Sequence, residues 1–332
     1  MNATMVWTDP ERAAFVGRVA QAAGLKIVAA GGPGRSGGSS AQTLGVESVE
    51  DLRTALAEGP GDIVLIADAG AFGTTDSSGD GEAVLAAVAR GARVVSLDPT
   101  PASVFELSSG GWLKNRHGRR AIDGVRFIPG ASDHSVFASM GEVLASFGAV
   151  RVASIRAFGR REHAGLGAAM FSGLSMLWRA LGPIEVIDAA LVAREQGERS
   201  ASSTDRLRDL HGHATAMART NNGAIGRLLA SDAADAWERS VELIGPAGRL
   251  VIQETGFRWI DPDGALVDSS ERSIDADAGA ASLASALIRH LKQPEPKGEE
   301  FVEVLNVAQA ALLSSRTRHP ESPTAIARAT LR

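Results

Sequence analysis

Three short, predominantly apolar runs near the start of the chain constrain its fold most. They are Leu25–Ala30 (LKIVAA), Asp62–Ala67 (DIVLIA) and Arg93–Leu97 (RVVSL). A strand apolar on both faces needs cover on both, which a parallel sheet between two helical layers provides. Helix-patterned segments separate these runs. Asp9 is placed as an N-cap with Pro10 at the first helical position, where its missing N–H costs nothing. Ala13, Phe15, Val16, Val19, Ala20 and Ala23 then recur at spacings of three and four, and Gly24 ends the pattern. Ser48 with Asp51 three residues on reads as a capping box opening a helix through Ala57, and a further helix is expected over Glu82–Ala89. Thr4–Thr8 is β-prone. Strand–helix–strand alternation of this kind predicts a doubly wound parallel sheet over residues 1–120. Gly31–Ser40 and Gly70–Gly81, rich in Gly and Ser, read as loops.

Beyond residue 120 the pattern changes. Val125–Ile128 is short and β-like, Val136–Phe147 helical, Val150–Phe158 alternating, and Leu166–Leu181 a long helix with an apolar face. Short β-prone segments follow at Ile184–Val192, Ala214–Arg219, Ala224–Ala230, Trp237–Ile244, Arg249–Glu254 and Phe257–Ile260. Turn signals at Asn222-Gly223, Pro246–Gly248 and Pro262–Gly264 separate several of them. The prediction is an α+β domain over 121–318 with a large, mostly antiparallel sheet. A closing helix at 301–313 and a tail at 319–332 complete it, and Lys292–Glu299 is the best linker. Trp178, Trp237 and Trp259 read as core residues.

With 332 residues, 44% hydrophobic and 22% charged, two domains are the natural division. Net charge is −5 and Lys and Arg are scattered, which argues against nucleic acid as a partner. No apolar run approaches the roughly 18–20 residues that span a bilayer, so no membrane partner is expected and a soluble, cytoplasmic protein is. The absence of cysteine leaves only His, Asp and Glu to hold a metal. His211 and His213, with Asp205 and Asp209 nearby, are the one such grouping. It reads better as an exposed strand end, and no metal is assigned.

Several strings together resemble the Gfo/Idh/MocA family of nicotinamide-dependent sugar oxidoreductases. They are Leu44–Leu56 (LGVESVEDLRTAL), Ala83–Pro99 (AVLAAVARGARVVSLDP), Asn221–Leu229 (NNGAIGRLL), Trp237–Leu250 (WERSVELIGPAGRL), Asp261–Gly264 (DPDG) and Val304–Thr317. The likeness covers roughly residues 4–318. It implies a Rossmann-like NAD(P)-binding domain followed by the family's α/β domain, a small sugar-like ligand, and a homo-oligomer or a hetero-oligomer with a paralogue.

The residues at the positions this family uses are unusual. Its glycine-rich phosphate turn after the first strand corresponds to Thr8-Asp9-Pro10-Glu11-Arg12, without a glycine and with two carboxylates that Arg12 partly offsets. A G-x-G-x-x-G at Gly32, Gly34 and Gly37 follows the second strand instead, with Gly32 where an acid would grip the adenosine ribose. A flexible glycine loop is the preferred reading there. The functional alternative offers Arg35, Ser36, Ser39 and Ser40 to a 2′-phosphate, so any cofactor is NADP before NAD, and none is also compatible. The family's E-K-P becomes Leu97-Asp98-Pro99, with Asp98 at the lysine position. Asp98 is a candidate base, or else a cap of the Thr100-Pro101 turn. The D-x-x-x-H-x-x-D helix motif becomes Ala168, Ser172 and Ser175. His163 is the nearest substitute for the histidine, although its polar neighbours read as a solvated loop. Asp9, Arg12, Gly32, Arg35, Ser36 and Pro99 are thus the candidate cofactor residues and Asp98 and His163 the candidate catalytic ones. The resemblance implies a non-catalytic or strongly diverged member, with a relocated active site as the alternative.

Overall fold

The computed structural model describes residues 3–70, 72, 79–109, 111–113, 118–128, 141–193, 204–271, 277–292 and 298–330, apart from the side chains of residues 35, 141, 298 and 299. The chain divides into two compact units. The first is Met1–Ile128 with Leu283–Val302 and Leu331; the second is Pro129–Ser282 with Glu303–Thr330 and Arg332.

The first unit is built on β1 (Ala3–Trp7), β2 (Lys26–Gly31), β3 (Glu47–Val49), β4 (Ile63–Ile66), β5 (Arg93–Ser96) and β6 (Val125–Phe127). All pairings are parallel and the order is β3-β2-β1-β4-β5-β6, a Rossmann-like sheet. Its central strands are apolar on both faces as expected, and every residue of β4 is buried. The connecting helices are α1 (Pro10–Ala22), α2 (Gly37–Leu44), α3 (Leu52–Glu58), α4 (Asp80–Ala89) and α5 (Val104–Ser109). Helix α1 packs on α2 and α3 on α4. The order reverses between β1 and β4, and the crevice outside the carboxyl ends of those strands is where this class of sheet places ligands.

The second unit carries an eight-stranded sheet in the order β14-β13-β12-β11-β7-β10-β9-β8. The strands are β7 (Val152–Arg160), β8 (Ile184–Val192), β9 (His213–Thr220), β10 (Ile225–Ser231), β11 (Ala233–Gly245), β12 (Gly248–Gln253), β13 (Gly256–Ile260) and β14 (Leu266–Glu271). Only β7 and β10 pair in parallel. Burial alternates strictly along β9, as a sheet with one covered face requires. Short α6 (Gly141–Phe147) precedes β7, and α7 (Leu166–Leu181) packs on β7 and β10. The remaining helices are α8 (Ala278–Lys292), α9 (Gly298–Thr317) and α10 (Pro323–Thr330).

Several expectations need correction. The Gly/Ser stretch after β2 is a single 3₁₀ turn, Gly34–Ser36, running straight into α2. The N-cap of α3 is Asp51, whose carboxylate accepts from Thr54 N at 2.8 Å, while Ser48 lies in β3. Val125–Ile128 supplies the sixth strand of the first sheet, not the start of the second domain. α5, α8 and β14 were not foreseen, and the 319–332 tail contains α10, preceded by a bridge from Glu321 to Ile187. Trp178, Trp237 and Trp259 are half-buried; the fully buried tryptophan is Trp112. Most of the Gly70–Gly81 loop and of the Lys292–Glu299 linker, and residues 136–140 of the expected helix, lie outside the described residues. No helix among the described residues is long and apolar enough to cross a membrane.

One buried group couples this fold to pH. His290 in α8 is 5% exposed, and its Nδ1 has no hydrogen-bond partner. Burial first, and the cations Arg126 and Arg93 second, lower its pKa to about 4. Its folded pKa lies below the unfolded one, so the unfolded chain binds the extra proton between pH 6.5 and 4, and stability falls as pH falls through that window. Urea unfolding should therefore show His290→Gln losing less stability than the parent between pH 6.5 and 4, by about 1–3 kcal/mol. Identical pH profiles would contradict this assignment.

Candidate functional site

The first unit's crevice is assembled at the β1–α1 turn. Asp9 has extended backbone (φ −72°, ψ 161°), and its carboxylate accepts from Arg12 N at 2.8 Å. Pro10 contributes no N–H, and Glu11 adds a carboxylate to the first turn. The helix N-terminus is thus capped from within the chain.

Arg12 turns inward. The residue is 6% exposed, and Nη1 donates to Asp98 Oδ2 at 2.6 Å and to the carbonyl of Ala67. Ala67 follows β4 and Asp98 follows β5, so one side chain ties the start of α1 to the ends of both strands. Burial works against the cation, yet Asp98, by charge and hydrogen bond, with smaller help from Asp9 and Asp68, raises its pKa. The Asp98 carboxylate is thus engaged through Oδ2 with Arg12. The hydroxyls of Ser96 and Thr100 donate to its backbone carbonyl, and Thr100-Pro101 is cis. Pro99, between them, is buried.

The glycine motif has a structural explanation. A Cβ on Gly32 would stand 2.2 Å from the carbonyl oxygen of Thr8, and one on Gly31 would stand 2.4 Å from the Trp7 ring. Ser40 Oγ donates to the same Thr8 carbonyl at 2.8 Å, and Ser36 Oγ donates to Pro33 O at 2.5 Å. Gly70 (φ +54°) meets Pro33, whose Cβ a side chain there would approach to 2.4 Å. Close backbone approach replaces the flexible glycine loop. Of the proposed phosphate donors, Ser36 and Ser40 are internally engaged, Ser39 is exposed, and the Arg35 side chain lies outside the described residues.

At this end of α1, Arg12 N is used by Asp9, Pro10 supplies no N–H, and Asp9 and Glu11 each bring a carboxylate.

In the second unit, Ala168, Ser172 and Ser175 are buried along α7. His163 is buried too, which corrects the solvated reading. Its ring stands edge-on to Trp237 at 6.0 Å, and Nε2 is 3.6 Å from Glu162 Oε1. His211 and His213 do not converge. His211 Nδ1 is 3.1 Å from Asp232 Oδ2, whereas His213 Nδ1 is 3.0 Å from Ser231 Oγ. Asp205 pairs with Arg316, and Asp209 accepts from Thr204. Among the described residues no group of three or more His, Asp or Glu could hold a metal.

Two features escaped the sequence reading. Buried Asp232 accepts from Gly212 N at 2.8 Å and from Leu166 N at 3.2 Å, so it caps α7 from a distance. Arg239, 3% exposed, lies over the Trp237 ring at 3.9 Å. Asp232 has no local signature, because its partners lie 20 and 66 positions away; Arg239 and Trp237 are two residues apart in β11, but the burial of the pair is not written in that spacing.

No family profile matches the chain, and no curated protein matches it. Solved structures do. An oxidoreductase from Agrobacterium radiobacter, in complex with NAD+, L-tartaric acid and magnesium, is 16% identical with a TM-score of 0.66, covering 98% of this chain and 99% of that one. Levoglucosan dehydrogenase in complex with NADH and levoglucosan is 13% identical, TM-score 0.66, covering 96% and 98%. Biliverdin reductase from Synechocystis sp., with biliverdin and NADP+, is 18% identical, TM-score 0.61, covering 94% and 98%. The chain has the two-domain fold of these oxidoreductases.

Removing Asp98 would leave a buried guanidinium without its partner. Asp98→Ala is expected to lower unfolding stability by about 3–5 kcal/mol, whereas the double change Arg12→Met with Asp98→Leu should recover most of that loss. A destabilisation under 1 kcal/mol for Asp98→Ala in denaturant melts would mean the pair does not hold these strands, since exposed ion pairs cost about that much.

Proposed function

We propose that this chain is a non-catalytic, strongly diverged protein of oxidoreductase fold, binding a sugar-like ligand or partnering a paralogue in the cytoplasm instead of transferring hydride. The observation that carries the reading is the engagement of Arg12 with Ala67 O and Asp98, at the strand ends where this class of sheet places its ligand. Asp9 and Pro10 support it by closing the helix N-terminus to phosphate. Ser172, at the family's histidine position, supports it as well, because a hydroxyl does not shuttle protons at neutral pH.

A second reading keeps the chain catalytic, with His163 as a relocated acid/base group. Its burial beside Glu162 and Trp237 is the observation in favour. Asp98, the other candidate, is already committed to Arg12.

Calorimetry with NADPH and NADH on the purified full chain separates the two readings, after checking that no dinucleotide copurifies. NADPH is the more stringent probe because Arg35 lies in the β2–α2 connection, where a 2′-phosphate would be read. The expected result is no heat of binding at millimolar cofactor. Micromolar affinity for either dinucleotide would overturn the non-catalytic reading.

A further inference from the structure

At the β12–β14 end of the second sheet one face is buried and the other is open. Leu250 and Ile252 are buried, whereas Arg249 and Gln253, which alternate with them along β12, are exposed. Residues directly opposite across antiparallel strands share a face, so the register carries the open side onward. Across β12 and β13, Arg249 stands opposite Ile260, Val251 opposite Arg258 and Gln253 opposite Gly256; across β13 and β14, Gly256 stands opposite Glu271. These residues line a cavity of about 320 Å³. Gly256 (φ +135°) adds no side chain to it and lets β14 come close, since a Cβ there would stand 1.8 Å from the carbonyl oxygen of Ser270. A volume of this order lies at the lower end of what small-molecule sites occupy, roughly 300–1,000 Å³.

The charges around this cavity are balanced but not all paired. Arg249 Nε donates to Glu242 Oε1 at 2.5 Å, and Glu242 stands opposite Val251 on the neighbouring strand β11. Arg258 and Glu271 are exposed, and neither makes an ion pair or a side-chain hydrogen bond among the described residues. They lie diagonally across β13 and β14, two positions out of register, with half-buried Val251 and Ile260 as the apolar part of the lining. Two cations and two carboxylates leave no net charge to attract a simple anion or cation. The free pair is one of each sign, so the ligand that satisfies both ends carries both charges.

We propose that this cavity binds a free α-amino acid with an aliphatic side chain, its carboxylate on Arg258, its ammonium on Glu271 and its side chain against Val251 and Ile260. The planar guanidinium fork matches a carboxylate. A carboxylate accepts readily from an ammonium, which has three donors and no acceptor. The site lies wholly within the second unit, goes beyond the reading above and does not rest on it.

The test is calorimetry on the full chain at constant ionic strength, with L-leucine as the probe. N-acetyl-L-leucine lacks the ammonium, L-leucinamide lacks the carboxylate and glycine lacks the side chain. Leucine should bind at millimolar concentration, and each control should bind at least about fivefold more weakly, a difference of ~1 kcal/mol. Arg258→Gln should weaken leucine and leave leucinamide unchanged; Glu271→Gln should weaken leucine and leave N-acetyl-leucine unchanged. Both positions are exposed, so the variants should melt like the parent. The parent protein alone can overturn the inference: absence of leucine binding at millimolar concentration, or equal binding of leucine and the three controls, would do so. Leucine binding that neither variant alters would overturn it as well, by placing the amino acid elsewhere. The NADPH titration above decides the non-catalytic reading without bearing on this cavity.

Discussion

The first unit depends on where one guanidinium points. Arg12 leaves the first turn of α1 and is buried against the carbonyl of Ala67 and the carboxylate of Asp98, so three elements that meet only at the carboxyl edge of the sheet are pinned by one side chain. A buried ion pair of this kind adds little net stability over an apolar pair of the same volume. It enforces a single arrangement, because either partner alone would be a desolvated charge. In this arrangement the two groups that the sequence offers to a cofactor and to proton transfer are engaged with each other. The neighbouring turn follows suit, with Gly32 and Ser40 both closing on the Thr8 carbonyl and Gly70 closing on Pro33. The switch point of the sheet is knitted together by the chain itself.

The second unit has buried polar groups of its own. There Arg239 lies 3.9 Å over the Trp237 ring, and the His163 ring meets the same indole edge-on. Asp232 meets three partners, Gly212 N, Leu166 N and His211. It caps α7 through Leu166 N and holds His211, which fixes the start of the helix near His163. A fold shared with oxidoreductases at 13–18% identity does not by itself fix the site, because fold and site vary independently.

Much of this fold was legible in the residues. Leu166–Leu181 and Ile184–Val192 form a helix and a strand with those bounds, and Asp9 caps the helix that Pro10 opens. These elements carry their own signals: an apolar face at helical spacing, an apolar run of strand length, a cap before a proline. α2 was missed because its first turn is Gly-Gly-Ser-Ser, a loop composition; Ser40 contributes a tertiary bond to Thr8 instead of helix propensity. β14 was missed because it is exposed along most of its length and has no apolar pattern. The site was less legible than the fold. Asp98 and Arg12 were both singled out, but their pairing spans 86 positions and no local pattern encodes it. His163 sits among Arg160, Arg161 and Glu162, which made it look solvated; Trp237, brought beside it by the β11 bulge, buries it.

The central claim is that Arg12 and Asp98 occupy the place a dinucleotide would otherwise use. A crystal structure of the full chain grown with saturating NADPH tests it most directly. The account predicts the Arg12–Asp98 bond intact, Asp9 still accepting from Arg12 N, and no pyrophosphate density at the start of α1. Clear cofactor density there, with the Asp9 carboxylate swung away and Arg12 released from Asp98 to meet a phosphate, would contradict it.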